Sequence, residues 1–460
     1  MIPSFLCKVA VKNHAGAALA CRGLQVRGFQ KPSGLDHASC HVLVVGGGTA
    51  GCTVAAKMTN NFDKGDIYIL EPSPSHYYQP LWTLVGGGVR RLEDSRRPMG
   101  SVIPKGVRWI QDEATSFNPQ ENTVSTGKGF IIHYDYLVIA TGIETRFDLI
   151  PGLVSALEQP DSGVCSNYSR KYVPKTFHAM KRFQSGNAVF TFPNTPVKCA
   201  GAPQKICYLA EDYFKKQKKR DKANMKYFAA TPVLFSCKKY ADELHKLCAR
   251  RNIEVNLRHN LKEVKPKAKI AVFDLLDKPG ETIEVPYSML HVTPPMAPPA
   301  VLKTGPMLTD AAGFVNVNKE TLQHVHYPNI FALGDSSNLP TSKTAAAAAA
   351  QSKILWANLF AKLAKKPVLA KYDGYTSCPL VTSYNSLILA EFDYNLQPLE
   401  TFPFDQSKER KLMYFMKKNL LPPLYWKGML KGLWNGPEIF RKIFHPLAAL
   451  EKLKSAEKKV

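Results

Sequence analysis

The sequence predicts an α/β protein with two Rossmann-like nucleotide-binding domains and a C-terminal amphipathic helical segment. Three observations predict this fold class. A glycine-rich loop stands between a short apolar strand and a helix near the N-terminus. A second strand and helix of the same kind, without the glycines, occupy the middle of the chain. Residues 408–460 interleave apolar and aromatic side chains with basic ones. Strands that alternate with helices are typical of parallel α/β sheets.

The composition is that of a folded globular protein. The 460 residues are enough for two or three domains, and hydrophobic residues make up 45% of them against 21% charged. Ten cysteines are too few for a disulfide-stapled secreted module, and no apolar stretch is long enough for a transmembrane helix. The formal net charge of +24 is unusually high. Because the sequence has neither zinc-finger spacing nor a basic-region heptad pattern, we do not predict a nucleic-acid partner.

The N-terminal segment has the composition of a targeting sequence. Residues 1–35 carry a net charge of +5 and no acidic residue, and small residues are frequent among them. This pattern is typical of a mitochondrial transit peptide, whereas a secretory signal needs a longer continuous apolar region. We therefore predict mitochondrial import, with an untargeted tail as the alternative.

The first nucleotide-binding motif follows the predicted strand His41–Val45. Residues 46–51 match G-x-G-x-x-G, and a helix-compatible run comes next. The glycines allow a tight turn and a close approach of the backbone to a pyrophosphate, and the helix N-terminus offers free N–H groups to the phosphates. A second strand, Ile67–Leu70, ends at Glu71, which is expected to accept hydrogen bonds from ribose hydroxyls.

Two further strand ends indicate a flavin. Tyr136–Gly142 closes in Ala-Thr-Gly, and Asn329–Asp335 closes in Gly-Asp before Ser342–Thr344 open an alanine-rich helix. These segments resemble the second and third fingerprints of two-dinucleotide-binding flavoproteins, in which the Gly-Asp carboxylate binds the ribityl chain of FAD. The helix that begins after Lys343 would direct the positive end of its dipole at the isoalloxazine edge. We therefore predict FAD as the cofactor.

The middle of the chain keeps the scaffold of a second nucleotide-binding domain but lacks its loop. Ala188–Phe192 is the predicted strand and Gln204–Phe214 the predicted helix, and Ile253–Leu257 is a further strand. An NADH site needs G-x-G-x-x-G between strand and helix. Residues 193–203 instead contain three prolines, a lysine and a cysteine. We therefore expect electrons to reach the flavin from a donor other than NADH.

The positions of the cysteines indicate how that electron donor reaches the flavin. The sequence contains no C-x-x-C, so it supports neither a thioredoxin-type dithiol nor a four-cysteine metal site, and we predict no metal. Cys199 lies in the substituted loop, and Cys378 is predicted in a second loop that also faces the isoalloxazine. The other cysteines of the folded region are predicted on the first helix, on other helices or on connecting segments, where buried free thiols are common: Cys52, Cys165, Cys207, Cys237 and Cys248.

Five segments resemble one family, the sulfide:quinone oxidoreductases of the eukaryotic mitochondrial type, within the pyridine-nucleotide-disulfide-reductase class of folds. The likeness runs from about residue 40 to near residue 445. The segments are Phe192–Lys205, His291–Met296, Leu339–Ala346, Lys371–Thr382 and Ile388–Tyr394. In that family two redox cysteines form a disulfide or sulfur-bridged pair beside the flavin, and they match Cys199 and Cys378 here. Some bacterial relatives use a third cysteine, for which this chain has no clear match.

The resemblance also implies a set of FAD contacts. They are the loop residues, the strand-end acid, two positions further along, and the two later fingerprints: Gly46, Gly48, Thr49, Ala50, Gly51, Glu71, Gln79, Ala114, Gly142, Gly334, Asp335, Lys343, Thr344, Ala345 and Ala346.

The implied reaction is sulfide oxidation with a quinone as electron acceptor. Hydrosulfide attacks one sulfur of the cysteine bridge, which we assign to Cys378, and Cys199 becomes the thiolate that faces the flavin. Lys198 and the helix after Pro203 would stabilise that thiolate. An acceptor such as glutathione, sulfite or cyanide takes the outer sulfur, and two electrons pass through FAD to ubiquinone.

The C-terminal segment suggests how the protein reaches the quinone. Residues 408–445 interleave leucine, phenylalanine, tyrosine and tryptophan with lysine and arginine. Basic amphipathic helices of this kind lie in a membrane interface without spanning the bilayer. Pro422-Pro423 and Gly436-Pro437 are expected to break the segment into short helices, as in a monotopic anchor on the mitochondrial inner membrane. An amphipathic helix packed on the protein's own core is the alternative.

These interpretations predict five regions and leave two rival functions. The regions are a transit segment, an FAD-binding domain in two parts with a second Rossmann-like domain between them, and a membrane-associating end: 1–35, 36–160, 161–300, 301–395 and 396–460. One rival is a type II NADH:quinone oxidoreductase, which shares the fold but needs a glycine-rich loop after Phe192. The other is a basic, non-catalytic flavin-binding protein that contacts nucleic acid with a steep dependence on salt.

Overall fold

The computed structural model describes residues 37–446. The predicted transit segment at 1–35 and the end of the predicted membrane-associating region, at 447–460, lie outside the described residues. Along residues 37–446, no helix combines the length and the apolar character that crossing a bilayer requires.

Strands and short helices alternate along most of the chain. The strands are β1 His37–Val45, β2 Ile67–Leu70, β3 Ser75–Tyr77, β4 Arg96–Pro98, β5 Arg108–Ile110, β6 Ala114–Asn118, β7 Thr123–Thr126, β8 Ile131–Ile139, β9 Glu144–Thr145, β10 Val164–Cys165, β11 Gly186–Phe192, β12 Ala223–Ala229, β13 Ile253–Leu257, β14 His259–Lys265, β15 Ile270–Leu275, β16 Thr282–Pro286, β17 Met289–His291, β18 Met296–Ala297, β19 Ile330–Ala332, β20 Thr376–Val381 and β21 Leu387–Phe392. The α-helices are α1 Thr49–Met58, α2 Trp82–Gly86, α3 Met99–Val102, α4 Leu153–Glu158, α5 Val173–Arg182, α6 Ala202–Lys216, α7 Lys238–Arg250, α8 Ala345–Leu363, α9 Lys411–Phe415, α10 Leu421–Lys427 and α11 Glu438–Phe444.

The first sheet has seven strands and carries the glycine-rich loop. Its order is β5-β2-β1-β8-β7-β6, and β19 pairs in parallel with the end of β8. The β-branched residues of β1 and the whole of β2 are buried, as expected for central parallel strands covered on both faces. Because β1, β8 and β19 run parallel, the glycine loop, the Ala-Thr-Gly end and the Gly-Asp end all leave the same edge of this sheet.

The second sheet has five parallel strands in the order β10-β17-β11-β12-β13. Helix α6 follows β11 and α7 follows β12, which repeats the strand–helix connections of the first sheet. A separate three-stranded antiparallel sheet, β14-β15-β16, contacts it through β14, and the hairpin β20-β21 packs near α6. The predicted α/β class with two Rossmann-like units is confirmed.

Most predicted elements are present, but some details were wrong. The strands predicted at Ile67–Leu70 and Ile253–Leu257 have the predicted ends. The strand predicted at Tyr136–Gly142 is β8, which ends at Ile139 so that Ala-Thr-Gly forms a turn. Cys165 was expected on a helix or a connection, but it lies in β10, a strand of two residues that is too short to produce an apolar alternation.

The C-terminal segment packs part of its surface on the protein. The predicted break at Pro422-Pro423 is wrong, because these prolines begin α10 directly after a π-helical turn at residues 416–420. Pro422 lacks the N–H that would bond the carbonyl of Lys418. That carbonyl instead accepts from a guanidinium nitrogen of Arg90 at 2.8 Å, which ties the segment to the turn after α2.

Candidate active site

The glycine-rich loop has space for phosphates on one side and none on the other. Gly46 has φ +104°, and a Cβ there would lie 2.4 Å from the carbonyl oxygen of Ala140. A Cβ on Gly51 would lie 1.9 Å from the carbonyl oxygen of Gly46. A Cβ on Gly48 would meet nothing within 4 Å. The loop therefore requires glycine at positions 46 and 51, where backbone packs against it, and is open at Gly48, as a pyrophosphate cradle requires.

Glu71 stabilises this loop directly. Its Oε2 accepts from the backbone N–H of Gly47 at 2.7 Å, and its Oε1 accepts from the backbone N–H of Ser73 at 2.8 Å. The carboxylate therefore lies at the end of β2 beside the loop, where the sequence places it. Each oxygen retains a lone pair for a ribose hydroxyl.

The third fingerprint lies against the first. Gly334 packs on Ala50 so closely that a side chain would approach within 3.1 Å, and its N–H donates to Gln351 at 2.8 Å. Beside it, Lys343 Nζ donates to the carbonyl oxygens of Asp335 at 2.9 Å and Ser337 at 3.1 Å. Burial raises the pKa of Asp335, which Lys343 opposes, and burial lowers the pKa of Lys343. A buried acid and base at this edge fit a polar sugar-like chain.

Helix α8 begins where the sequence predicts. The Thr344 side chain accepts from the backbone N–H of Ala347 at 3.1 Å and so caps the helix. Ala345 and Ala346 form its first turn, whose unpaired N–H groups and positive dipole end point out of the helix start. The capping hydroxyl also lies 2.9 Å from the hydroxyl of Thr376, in the strand that carries Cys378.

The remaining predicted FAD contacts are Gly142, Gln79 and Ala114. Gly142 lies in the turn after β8 with φ +76°. The side-chain oxygen of Gln79 accepts from Lys198 Nζ at 3.3 Å, which connects the α2 region to the Cys199 loop. Ala114 begins β6, and among the described residues it forms no hydrogen bond with the glycine loop. The three fingerprints therefore lie together, and the contact at Ala114 stays a prediction.

The Cys199 loop is tied to the third fingerprint by its backbone. The N–H of Cys199 donates to the carbonyl oxygen of Lys343 at 2.8 Å. Cys199 itself has φ +52°, a left-handed conformation that is uncommon outside glycine. A Cβ on Gly201 would lie 2.3 Å from the side chain of Leu380, in β20. The loop therefore lies between the start of α8 and the strand of Cys378.

Cys199 and Cys378 are neighbours with opposed acidities. The Cys378 side chain hydrogen-bonds the Cys199 sulfur and holds the pKa of Cys199 well below its usual range. The same hydrogen bond, together with burial, raises the pKa of Cys378. Both are free thiols in the structure. These opposite shifts favour the negative charge on Cys199 and the proton on Cys378.

Two features of this pair differ from the sequence prediction. Cys378 does not lie in a loop, because it is fully buried in the middle of β20 and pairs with Ala390 of β21. The cation at the thiolate is Lys205, whose Nζ lies 3.1 Å from Cys199 Sγ. Lys198 was expected there, but its ammonium group is directed to Gln79. Lys205 lies in the first turn of α6, on the side of the helix that faces the Cys199 loop.

Sequence reasoning missed a second lysine. Lys417 is buried in the π-helical turn, and its Nζ donates to the carbonyl oxygen of Pro80 at 3.0 Å. Burial lowers its pKa to about 7, with Lys205 as a further cause and the charges of Cys199 and Cys378 opposing. No local signal marks this residue among the thirteen lysines and arginines of residues 408–460.

The remaining cysteines of the described region are chemically quiet. All are buried, and burial raises the pKa of each thiol: Cys40, Cys52, Cys165, Cys207, Cys237 and Cys248. A raised pKa leaves little thiolate at neutral pH. Within residues 37–446, no group of three or more histidine, cysteine or carboxylate side chains is arranged to hold a metal ion.

A cavity of about 470 Å³ opens beside the Cys199 loop. One wall comes from the loop at Val197 and Ala200, and another from residues 337–343 before α8. The far wall contains Phe392 and Asp393 at the end of β21. Its lining is mostly apolar with a few hydroxyl and charged groups, so it suits a small molecule with both apolar and polar parts next to the cysteine loop.

Comparison with known proteins places this geometry in a family. The sequence profile of the pyridine nucleotide-disulphide oxidoreductases matches residues 40–183. The chain is 56% identical to the mitochondrial sulfide:quinone oxidoreductase of Mus musculus, over 88% of this chain and 89% of that protein. It is 48% identical to the mitochondrial sulfide:quinone oxidoreductase of Dictyostelium discoideum, over 89% of each. The crystal structure of the sulfide:quinone oxidoreductase from Aquifex aeolicus shares the fold, with a TM-score of 0.71 and 21% identity over 88% of this chain and 95% of that chain.

Proposed function

The chain belongs to the mitochondrial sulfide:quinone oxidoreductases, and we propose that Cys199 and Cys378 are the redox pair through which it oxidises sulfide. The protein is an FAD-dependent enzyme that transfers electrons from sulfide to a quinone. One observation carries the assignment of the pair. Two cysteines 179 positions apart in sequence share one site as thiolate and thiol, with Lys205 Nζ 3.1 Å from the thiolate sulfur.

In the oxidised enzyme the pair forms a bridge, which hydrosulfide opens. A new S–S bond forms between the hydrosulfide sulfur and Cys378, and the bridge bond breaks with its electron pair on Cys199. Cys378 then carries a persulfide, and Cys199 is a thiolate. Lys205, whose Nζ lies 3.1 Å from Cys199 Sγ, lowers the pKa of Cys199 and so makes it the better leaving group of the two, because a thiolate of lower pKa leaves faster. The ammonium of Lys205 stabilises the charge that develops there.

An acceptor nucleophile then takes the outer sulfur and leaves Cys378 as a thiolate. Re-formation of the bridge releases two electrons, and bound FAD supplies the two-electron carrier that passes them to the quinone, which we propose to be ubiquinone. Glutathione, sulfite and cyanide are the proposed acceptors. The 470 Å³ cavity lined by Val197 and Ala200, which flank Lys198 and Cys199 in the chain, supports an acceptor of this size next to the Cys199 loop.

We propose that the FAD lies along the cluster of three fingerprints. The open side of residues 46–51 would hold the pyrophosphate, Glu71 the ribose, and Asp335 the ribityl chain. Lys343 and the start of α8 would then face the ring near Cys199, whose N–H already bonds the Lys343 carbonyl. The pairing of β19 at 330–332 with β8 supports the proposed FAD-binding domain in two parts.

The C-terminal segment is proposed to rest on the mitochondrial inner membrane. One side of it packs on the protein through Met413, Tyr425 and Met429, which are buried. The other side exposes large apolar side chains: Leu412, Phe415, Leu420, Leu433, Ile439, Ile443 and Phe444. An exposed apolar surface among basic residues suits an anionic lipid interface.

The test is an anaerobic titration of the purified flavoprotein, followed by the flavin absorption band. We expect stoichiometric sulfide to bleach the flavin band as soon as the solutions are mixed by hand. We expect NADH to leave the band unchanged. Bleaching by NADH at a comparable rate would instead support a type II NADH:quinone oxidoreductase. A flavoprotein that neither reagent reduces, and that binds DNA with a steep salt dependence, would support the non-catalytic alternative.

A further inference from the structure

The C-terminal segment reaches the back of the glycine-rich loop. Tyr425 in α10 is 3% exposed, and its hydroxyl lies 2.8 Å from Thr49 Oγ1 and 2.5 Å from His76 Nε2. Its ring packs on Tyr78 with ring centroids 4.3 Å apart. Residue 425 is therefore in hydrogen-bond contact with a loop residue 376 positions earlier in the chain.

The hydrogen bonds form a directed chain that returns to the loop. His76 Nδ1 lies 3.1 Å from the carbonyl oxygen of Gly47, which can only accept, so Nδ1 carries the proton. Burial lowers the pKa of His76 to about 4, so Nε2 is unprotonated and accepts from the Tyr425 hydroxyl. The Tyr425 oxygen then accepts from the hydroxyl of Thr49. The chain runs Thr49, Tyr425, His76, Gly47, and both of its ends lie in the loop.

Neighbouring contacts hold the segment in this place. Lys57, on α1, donates from Nζ to the carbonyl oxygen of Gly432 at 2.8 Å and also bonds the side chain of Asn435. The Trp426 ring meets His76 edge-on at 5.7 Å between centroids, and the Arg97 guanidinium lies 5.0 Å over that indole. The segment thus crosses the outer side of α1, the helix whose N-terminus faces the proposed pyrophosphate position.

We propose that Tyr425 is a positioning residue for FAD: it holds Thr49, His76 and Gly47 so that the loop keeps the shape that binds the cofactor's pyrophosphate. This inference rests on the proposed placement of FAD on residues 46–51. The hydroxyl proton of Thr49 is committed to Tyr425, so Thr49 meets the pyrophosphate through its backbone N–H. The C-terminal segment therefore contributes to cofactor retention besides any contact with a membrane.

The test compares two tyrosines of the segment in the full-length protein. Tyr425→Phe removes the hydroxyl and keeps the ring. Tyr414→Phe is the matched control, because Tyr414 is buried to a similar extent, 6% exposed, and lies outside the hydrogen-bond chain. The dissociation constant for FAD is measured on deflavinated protein by equilibrium dialysis. We expect Tyr425→Phe to raise it about ten-fold, because two buried hydrogen bonds are lost, and Tyr414→Phe to leave it within about two-fold.

Two further measurements separate positioning from general stability. Thr49→Val should raise the FAD dissociation constant, Thr49→Ser should restore it, and Tyr425→Phe should add little to Thr49→Val, because both act through one bond. The visible circular dichroism of bound flavin should change in Tyr425→Phe and not in Tyr414→Phe. If Tyr425→Phe weakens FAD binding no more than Tyr414→Phe while Glu71→Gln weakens it clearly, the positioning role is wrong. If Glu71→Gln also has no effect, the placement of FAD fails and this inference fails with it.

Discussion

The two strand-to-helix loops of this protein, β1–α1 and β11–α6, occupy equivalent places on two similar sheets and have opposite chemistry. The first contains glycines, is open at Gly48 and presents backbone to a ligand. The second contains prolines, presents the Cys199 side chain in a left-handed conformation, and is tied to the Lys343 carbonyl. In the proposed function, the same connection binds phosphate in one sheet and carries a redox sulfur in the other. The chemistry of the connection depends on whether the loop presents its backbone or a side chain to the site.

The largest effect is expected from the second loop and its partner. Replacing either Cys199 or Cys378 with Ser should lower sulfide-dependent quinone reduction by at least about a thousand-fold, and the double mutant should be little worse, because the pair acts as one unit. The FAD content should survive, since neither residue belongs to a fingerprint. Cys207→Ser is the control and should cost at most about 1 kcal/mol of stability. A Cys378→Ser enzyme with nearly normal turnover would rule out the mechanism.

The first loop should fail in the opposite way, by losing cofactor. Gly51→Ala places a Cβ 1.9 Å from the Gly46 carbonyl oxygen, so the loop must open and FAD should be absent from the purified protein. Gly48→Ala meets no protein atom within 4 Å, so the apoprotein should melt as the wild type does while FAD binds more weakly. Flavin content and apoprotein melting measure the two effects. Unchanged FAD affinity in Gly48→Ala would show that the pyrophosphate does not approach this side.

A smaller effect should distinguish the two lysines of the second loop. Lys205→Met removes the ammonium 3.1 Å from Cys199 Sγ. The pKa of Cys199 should then rise, since Lys205 helps to keep it low, and the acid limb of sulfide-driven flavin reduction should move to higher pH. At neutral pH we expect a rate about ten-fold lower, the size of one charge-assisted hydrogen bond. Lys198→Met should change the pH profile less. Equal shifts of the pH profile in the two variants would mean that both lysines influence the pKa of Cys199 equally, whichever of them contacts its sulfur.

Two buried histidines, His76 in β3 and His291 in β17, should respond alike to acid. Burial lowers the pKa of His76 to about 4 and of His291 to about 3, from 6.5 for a free side chain. As the pH falls, the histidines of the unfolded chain bind protons before those of the folded protein do. The two buried neutral histidines therefore contribute fully to the free energy of unfolding above pH 6.5, and this contribution is lost as the pH falls below 6.5. By pH 5 each should cost about 2 kcal/mol. Denaturant melts of His76→Gln and His291→Gln apoprotein should each show a weaker pH dependence, and an unchanged dependence would contradict this.

Local sequence patterns were sufficient to predict the parts of the site that follow from the geometry of a strand end or a helix start. A glycine loop between strand and helix, an acid at the next strand end, and a polar end of β19 each follow from strand geometry at short range. The helix start at Ala345 was predictable because Thr344 is a capping residue directly before an alanine run. Cys199 was identifiable because it stands where the nucleotide loop should be.

The residues that the sequence missed depend on packing over long separations. Lys205 was overlooked in favour of Lys198, because adjacency in sequence does not show which lysine a loop with positive φ directs at the sulfur. Cys378 was assigned to a loop because a single strand of a hairpin, with Pro379 inside it, has a weak strand pattern. Lys417 lies in a π-helical turn next to Lys418, whose carbonyl accepts from Arg90, a residue more than 300 positions earlier in the chain.

The sequence by itself determined the α/β class, the flavin fingerprints and the two cysteines, because each is encoded by residues within a short stretch whose local geometry is set by sterics and strand polarity. Only the tertiary structure showed which of the two cysteines has the lowered pKa, which lysine contacts its sulfur, and that Tyr425 of the C-terminal segment hydrogen-bonds Thr49 of the glycine loop. Acidity depends on burial and on charges brought close by folding. Such contacts join residues hundreds of positions apart and leave no periodic pattern along the chain.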